Sequence, residues 1–107
     1  MQFRGGMNEL MRQAARMQRK IDQAKDELKD KEVTCGAVGE KVKATVTYGR
    51  KVARIEVDPE FLQNEGLELA LDGVAAAINA AMDEADKAMQ AELEKVTGGV
   101  KIPGLTG

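Results

Sequence analysis

The chain has no histidine and no tryptophan, and among its 107 residues it has one cysteine, one tyrosine, two phenylalanines and two prolines. Without an imidazole, Ser-His and Cys-His nucleophile systems are excluded. With Cys35 as the only thiol, an intramolecular disulfide and a Cys/His zinc site are excluded as well. So few aromatic rings rule out a large aromatic core, and burial per residue is modest at this size. The longest apolar run, residues 74–78, spans five positions, whereas a bilayer-crossing helix needs about 20. The short polar N-terminus lacks a secretory leader pattern. A cytoplasmic, single-domain protein is expected over residues 1–107, with loosely held ends at about 1–7 and 99–107.

Charge is plentiful and unevenly placed. The net charge is −2, from 16 basic and 18 acidic residues. Residues 1–54 hold 13 Lys/Arg against 7 Asp/Glu, a surplus of +6, and residues 55–107 hold 3 against 11, a deficit of −8. Exposed charges act over about 10 Å at 0.1 M salt, so a polyanion senses the local field and not the molecular total. The basic half is the candidate contact surface.

Met7, Leu10, Ala14, Met17, Ile21, Ala24 and Leu28 step by 3, 4, 3, 4, 3 and 4, a narrow heptad stripe on one helix. The pattern predicts a helix over residues 8–31, capped by Asn8. Leu10, Met17, Ile21 and Leu28 form the large side chains of a seam suited to another helix. The period then changes to two. Residues 32–35, 42–48 and 53–57 read as three antiparallel strands with one polar face, the last two joined by the Gly49-Arg50-Lys51 turn. Asp58-Pro59 opens a short helix. Leu67, Leu71, Val74, Ile78, Ala81, Ala85 and Ala88 mark a second long helix over residues 67–96, closed by Gly98-Gly99. Its alanine clusters at 75–77 and 80–81 permit close approach to a sheet or helix. The fold class is α+β, an α-β-β-β-α order with two long helices and a small three-stranded sheet. Such a sheet has free edges, so a homodimer is expected.

Arg12, Arg16, Arg19 and Lys20 share about 100° of arc on the first helix, centred about 130° from the seam. Arg12/Arg16 and Arg16/Lys20 are repulsive i, i+4 pairs, which a merely solvated face avoids. These four cations, with Gln13 and Gln23 nearby, suit phosphate oxygens. Arg50 and Lys51 at the hairpin tip, with Arg4, extend the track. Lys41, Lys43 and Arg54 decorate the open sheet face. Base readout is not supported, because no helix-turn-helix spacing, zinc finger or aromatic stacking platform is present. Asp72, Asp83, Glu84 and Asp86 lack the spacing of an oxygen-ligand loop and read as a solvated face, so no metal is expected. Cys35 reads as a small packed side chain.

Leu10-Met11-Arg12-Gln13-Ala14, Met17-Gln18-Arg19-Lys20, Glu32-Val33-Thr34, Glu56-Val57-Asp58-Pro59, Leu71-Asp72 with Val74-Ala75-Ala76-Ala77, and Gly98-Gly99 with Ile102-Pro103-Gly104 occur in that order along the chain. Together this ordered set resembles the YbaB/EbfC family of bacterial nucleoid-associated proteins. The resemblance implies a cytoplasmic homodimer whose sheets join centrally while the helices project like tweezers. It implies binding to double-stranded DNA with little sequence preference, a place in the nucleoid, and a role in chromosome organisation and gene regulation. It also implies no enzymatic activity, cofactor, small-molecule substrate or membrane partner. By position, Arg12, Arg16, Arg19 and Lys20 are its DNA contacts. The pronounced acidity of the second half is a departure. The rival reading is a helical protein-interaction module recruited through the heptad seam, its charges serving only to steer.

Overall fold

A computed structural model describes residues 2–98, with side chains from residue 6 onward. The order is α1 (Gln2–Leu28), β1 (Glu32–Ala37), β2 (Val42–Thr47), β3 (Val52–Val57), α2 (Pro59–Glu65) and α3 (Leu67–Thr97). The strands form one antiparallel sheet in the order β1-β2-β3. This is the α+β architecture anticipated from the sequence. The tail expected at residues 99–107 lies outside the described residues.

Two helix limits differ from the sequence reading. α1 begins at Gln2, so Asn8 lies inside it and is not its cap. The preceding residues contain no proline, and glycine inside a helix costs only about 1 kcal/mol against alanine. α1 ends at Leu28, earlier than the periodicity suggested, because the next carbonyls are committed elsewhere. Lys29 accepts from Gly49 N–H at 2.9 Å, and Lys31 accepts from Tyr48 N–H at 2.8 Å. A Cβ at Gly49 would stand 3.1 Å from the Lys29 carbonyl oxygen, so the missing side chain is what lets the hairpin tip seat there.

α3 lies across the sheet. Val42, Ala44 and Val46 of β2 are fully buried against Ala77, Ala81 and Ala85. The buried stripe of α3 is Ala70, Gly73, Ala77, Ala81 and Ala85. The leucines that opened the apparent periodic run do not join it, for Leu67 is 64% and Leu71 56% exposed. Small residues win this face because they let the helix axis approach the branched valines of β2. A Cβ at Gly73 would meet Val42 Cγ2 at 2.9 Å and Val38 Cγ2 at 3.0 Å.

The far face of the sheet is polar, as expected, and one of its side chains is buried all the same. Thr45 is buried there at 2% exposure. Its hydroxyl is satisfied by the Thr34 hydroxyl at 2.7 Å, and its register neighbours are Thr34 and Arg54. Arg54 reaches across to Glu32 at 3.1 Å. The β2–β3 register slips by one between Thr45 and Val46, which sets Val42, Ala44 and Val46 opposite Val57, Ile55 and Val52. β3 then leads into α2, whose first turn is capped by Asp58 accepting from Glu60 N–H at 2.9 Å. That bond, with the Glu60–Phe61 backbone and Lys41 nearby, holds the Asp58 carboxyl below its ordinary value.

Candidate nucleic-acid interface

The hairpin tip fixes how the two long helices sit. Gly49 hydrogen-bonds the Lys29 carbonyl, and the Arg50 guanidinium is paired with Asp86 of α3. Residues 29 and 86 therefore lie at one level. Beyond it, α3 has 11 residues to Thr97, about 16 Å at 1.5 Å per residue, while α1 runs back 27 residues to Gln2, about 40 Å. The two helices pack on each other along the shared stretch, so α3 ends beside about residue 18 of α1. The exposure gradient along the seam agrees. Ile21 is 1% exposed, Met17 and Leu28 are half-buried, and Leu10 is 64% exposed. The longest dimension, 75 Å against 20 and 17 Å, reflects this projecting arm.

The cationic strip straddles the end of α3: Arg12 and Arg16 lie on the arm, and Arg19 and Lys20 at the start of the shared stretch. Arg12, Arg16, Arg19 and Lys20 are all exposed and span about 12 Å along the axis. Among the described residues Arg16, Arg19 and Lys20 make no ion pair or hydrogen bond, and Arg12 has only a 4.0 Å approach to Glu9. An exposed pair at that separation contributes almost nothing. Residues 2–20 contain five basic residues against one acidic, Glu9. The acids Asp22, Asp26 and Glu27 of α1, and Asp30 just after it, begin toward the sheet, where Asp83, Glu84 and Asp86 of α3 also lie, while Glu92 and Glu94 of α3 stand at about the level of residues 21–23. The field therefore runs from positive at the tip to negative at the base.

The other predicted contacts are placed differently. Arg50 stands at the hairpin tip in a left-handed conformation, φ 69°, with its guanidinium on Asp86. That bond holds the arginine above its ordinary value and shares its charge with a carboxylate, a partner that no spacing in the sequence announced. Lys51 is exposed beside it and makes no ion pair among the described residues. Lys41 and Arg54 are occupied by Asp58 and Glu32, and Gln23 donates to Glu27 at 3.3 Å. An open cleft of about 570 Å³ between β1 and α3 is lined by Thr34, Cys35, Glu40, Lys43, Asp83, Glu84 and Lys87. Its mixed charge favours neither an anion nor a cation. Burial pushes the Cys35 thiol up, with Glu84 and Glu40 adding to the shift, so its thiolate is disfavoured.

The two-layer α+β fold is one already seen. An uncharacterized protein from Helicobacter pylori shares it at a TM-score of 0.68 and 15% identity, covering 85% of this chain and 96% of that one. A family model described as the YbaB/EbfC DNA-binding family matches residues 3–100. Nucleoid-associated proteins of Acetivibrio thermocellus and Clostridium acetobutylicum are 38% and 34% identical to it. They cover 96% and 94% of this chain and 92% and 90% of their own lengths. The chain belongs to the YbaB/EbfC DNA-binding family.

Proposed function

We propose that this protein is a nucleoid-associated protein of the cytoplasm that binds duplex DNA through backbone phosphates, with little sequence preference. On this reading it contributes to chromosome organisation and gene regulation. The observation that carries the reading is the run of exposed cations Arg16, Arg19 and Lys20, with Arg12 beside them, none of which holds a close carboxylate partner among the described residues. Guanidinium groups without carboxylate partners pair with phosphate at no cost of breaking a prior bond. No aromatic platform or groove-reading helix motif accompanies them, so the contacts carry charge and not base identity. If each chain neutralises about three to four phosphates and two chains act together, log K falls against log salt with a slope of about −5 to −7. Titrating unrelated duplexes of equal length at two ionic strengths tests both halves of this claim. Equal affinities that fall together with salt support it, and a strong preference for one sequence counts against it.

A homodimer completes the proposal. β3 is an edge strand, and the apolar side chains it shares with the α3 face of the sheet stay open, Val52 at 46% and Ile55 at 37% exposed. α3 covers β1 and β2 and leaves β3 largely bare, while Leu62, Leu67, Leu69 and Leu71 are exposed in the helices that follow. A second copy along the β3 edge would satisfy the strand and cover these side chains. Changing Ile55 to glutamate is expected to reduce the mass measured by light scattering from twice the 11.6 kDa chain to one, and to halve the salt slope. A variant that remains dimeric places the interface elsewhere.

Arg50 supplies a further check. If the hairpin tip reaches DNA, Asp86 competes with phosphate for its guanidinium. Asp86→Asn is then expected to raise affinity at low salt by about three- to tenfold, since one more charge per chain becomes available. An unchanged affinity in a gel-shift titration removes Arg50 from the contact surface. The adaptor reading is less well supported, because α3 already occupies the seam at Ile21.

A further inference from the structure

β1 forms the second free edge of the sheet. The Lys31 carbonyl accepts from Tyr48 N–H, and opposed residues of an antiparallel ladder alternate between bonded and non-bonded pairs. In the β1–β2 register this makes Val33, Cys35 and Ala37 the residues bonded to β2. The backbone N–H and C=O groups of Glu32, Thr34 and Gly36 therefore point away from the sheet, and none has a backbone partner among the described residues. Natural sheet edges are blunted by lysine, proline or a bulge. β1 contains neither residue, and its register with β2 is unbroken. The open cleft of about 570 Å³ lies beside this edge, with Ala80 and Asp83 of α3 on its other wall. We propose that the β1 edge and this wall of α3 take up an extended segment of a partner protein, which adds a strand to the sheet and turns basic side chains toward α3.

Shape and charge select that occupant. β1 has six residues, about 20 Å of edge at roughly 3.3 Å per residue. The small side chain of Ala80 keeps the helical wall clear of an added strand. Lys87 is taken up by Glu84 at 3.8 Å, which leaves Asp83 as the carboxylate of that wall without an ion pair among the described residues. On the sheet side Glu40 and Lys43 offset each other. A mixed set of this kind selects neither a free anion nor a free cation. It suits an uncharged backbone flanked by a cation that faces Asp83. A second copy pairing through its own β1 is the competing occupant. It would set two clefts, each with three carboxylates against two lysines, toward one another, and their repulsion opposes contact.

The test uses the full chain. The probe is a labelled synthetic peptide of about ten residues, lysine alternating with threonine, so that one face of the added strand is basic. Binding is followed by fluorescence anisotropy and by amide chemical shifts, which are expected to move at residues 32–40 and 80–87. N-methylation of only the lysine amides or only the threonine amides is expected to weaken binding at least about tenfold in one case and less than about twofold in the other, because alternate amides of a strand point to opposite sides. Asp83→Lys is expected to weaken it at least about tenfold. Gly36→Pro removes one outward N–H at an edge position, where proline is tolerated, and is expected to abolish binding with the far-UV circular dichroism unchanged. The methylated peptides test the same bonds on the unaltered chain. No binding, equal effects of the two methylations, shifts confined to other residues, or parental affinity in Asp83→Lys or Gly36→Pro overturns the proposal.

Discussion

Changing Arg12, Arg16 and Arg19 together to glutamate is expected to lower affinity for duplex DNA by at least about a thousandfold at low salt. Each change removes a cation and installs an anion. The arm then presents Glu9 and three new carboxylates against Arg4 and Lys20, so its field reverses sign. The fold is expected to persist, because all three arginines are exposed and the one ion pair among them, Arg12 with Glu9, is at the 4.0 Å limit. Far-UV circular dichroism and thermal midpoint should therefore match the parent while the gel shift disappears. The residual salt slope should fall to a small fraction of the parent value, since only Lys20 and its few cationic neighbours are left to release counterions. Retained binding with an unchanged slope would move the interface off this helix altogether.

Ile21→Ala is expected to cost about 2–4 kcal/mol of stability, whereas Met11→Ala stays within about 0.5 kcal/mol. Both residues belong to the same helix, and hydropathy alone does not separate them. Ile21 is 1% exposed where α3 runs beside α1, and it is among the largest fully buried side chains of the fold. Met11 is 65% exposed on the overhang. Deleting atoms from a closed seam leaves a cavity, and deleting them from an open surface does not. Urea unfolding of the two variants checks the difference, and equal costs would show that α1 and α3 part in solution. DNA affinity of Ile21→Ala is expected to fall only as far as the arm loses its rigidity, which keeps this test independent of the charge reversal.

How much was legible in the sequence depended on the range of the signal. The 3-4 spacing of α1, the period-two alternation of β2 and the Asp58-Pro59 and Gly98 stop signals are local, and each produced its element within a few residues. The four-cation arc followed from helix geometry alone, because angle and rise are the same in any α-helix. What failed depended on neighbours. Leu67 and Leu71 carried the apolar period yet lie in the open, while alanines and Gly73 take the sheet. Burial on α3 is decided by how closely the helix can approach Val42 and Val46, and hydropathy does not encode that distance. Arg50 looked equivalent to Lys51 until α3 brought Asp86 to it from 36 positions away.

Composition and periodicity by themselves determined the class of elements, the absence of imidazole and zinc chemistry, and the clustering of positive charge on one face of one helix. Only the tertiary structure decided which cations stand free and which half of the heptad stripe is covered. The cations stand free because their face is turned about 130° from the seam that meets α3, and the coverage of the stripe comes from a length mismatch. α3 stops well short of the end of α1, and the residues past that point meet water instead of a neighbour.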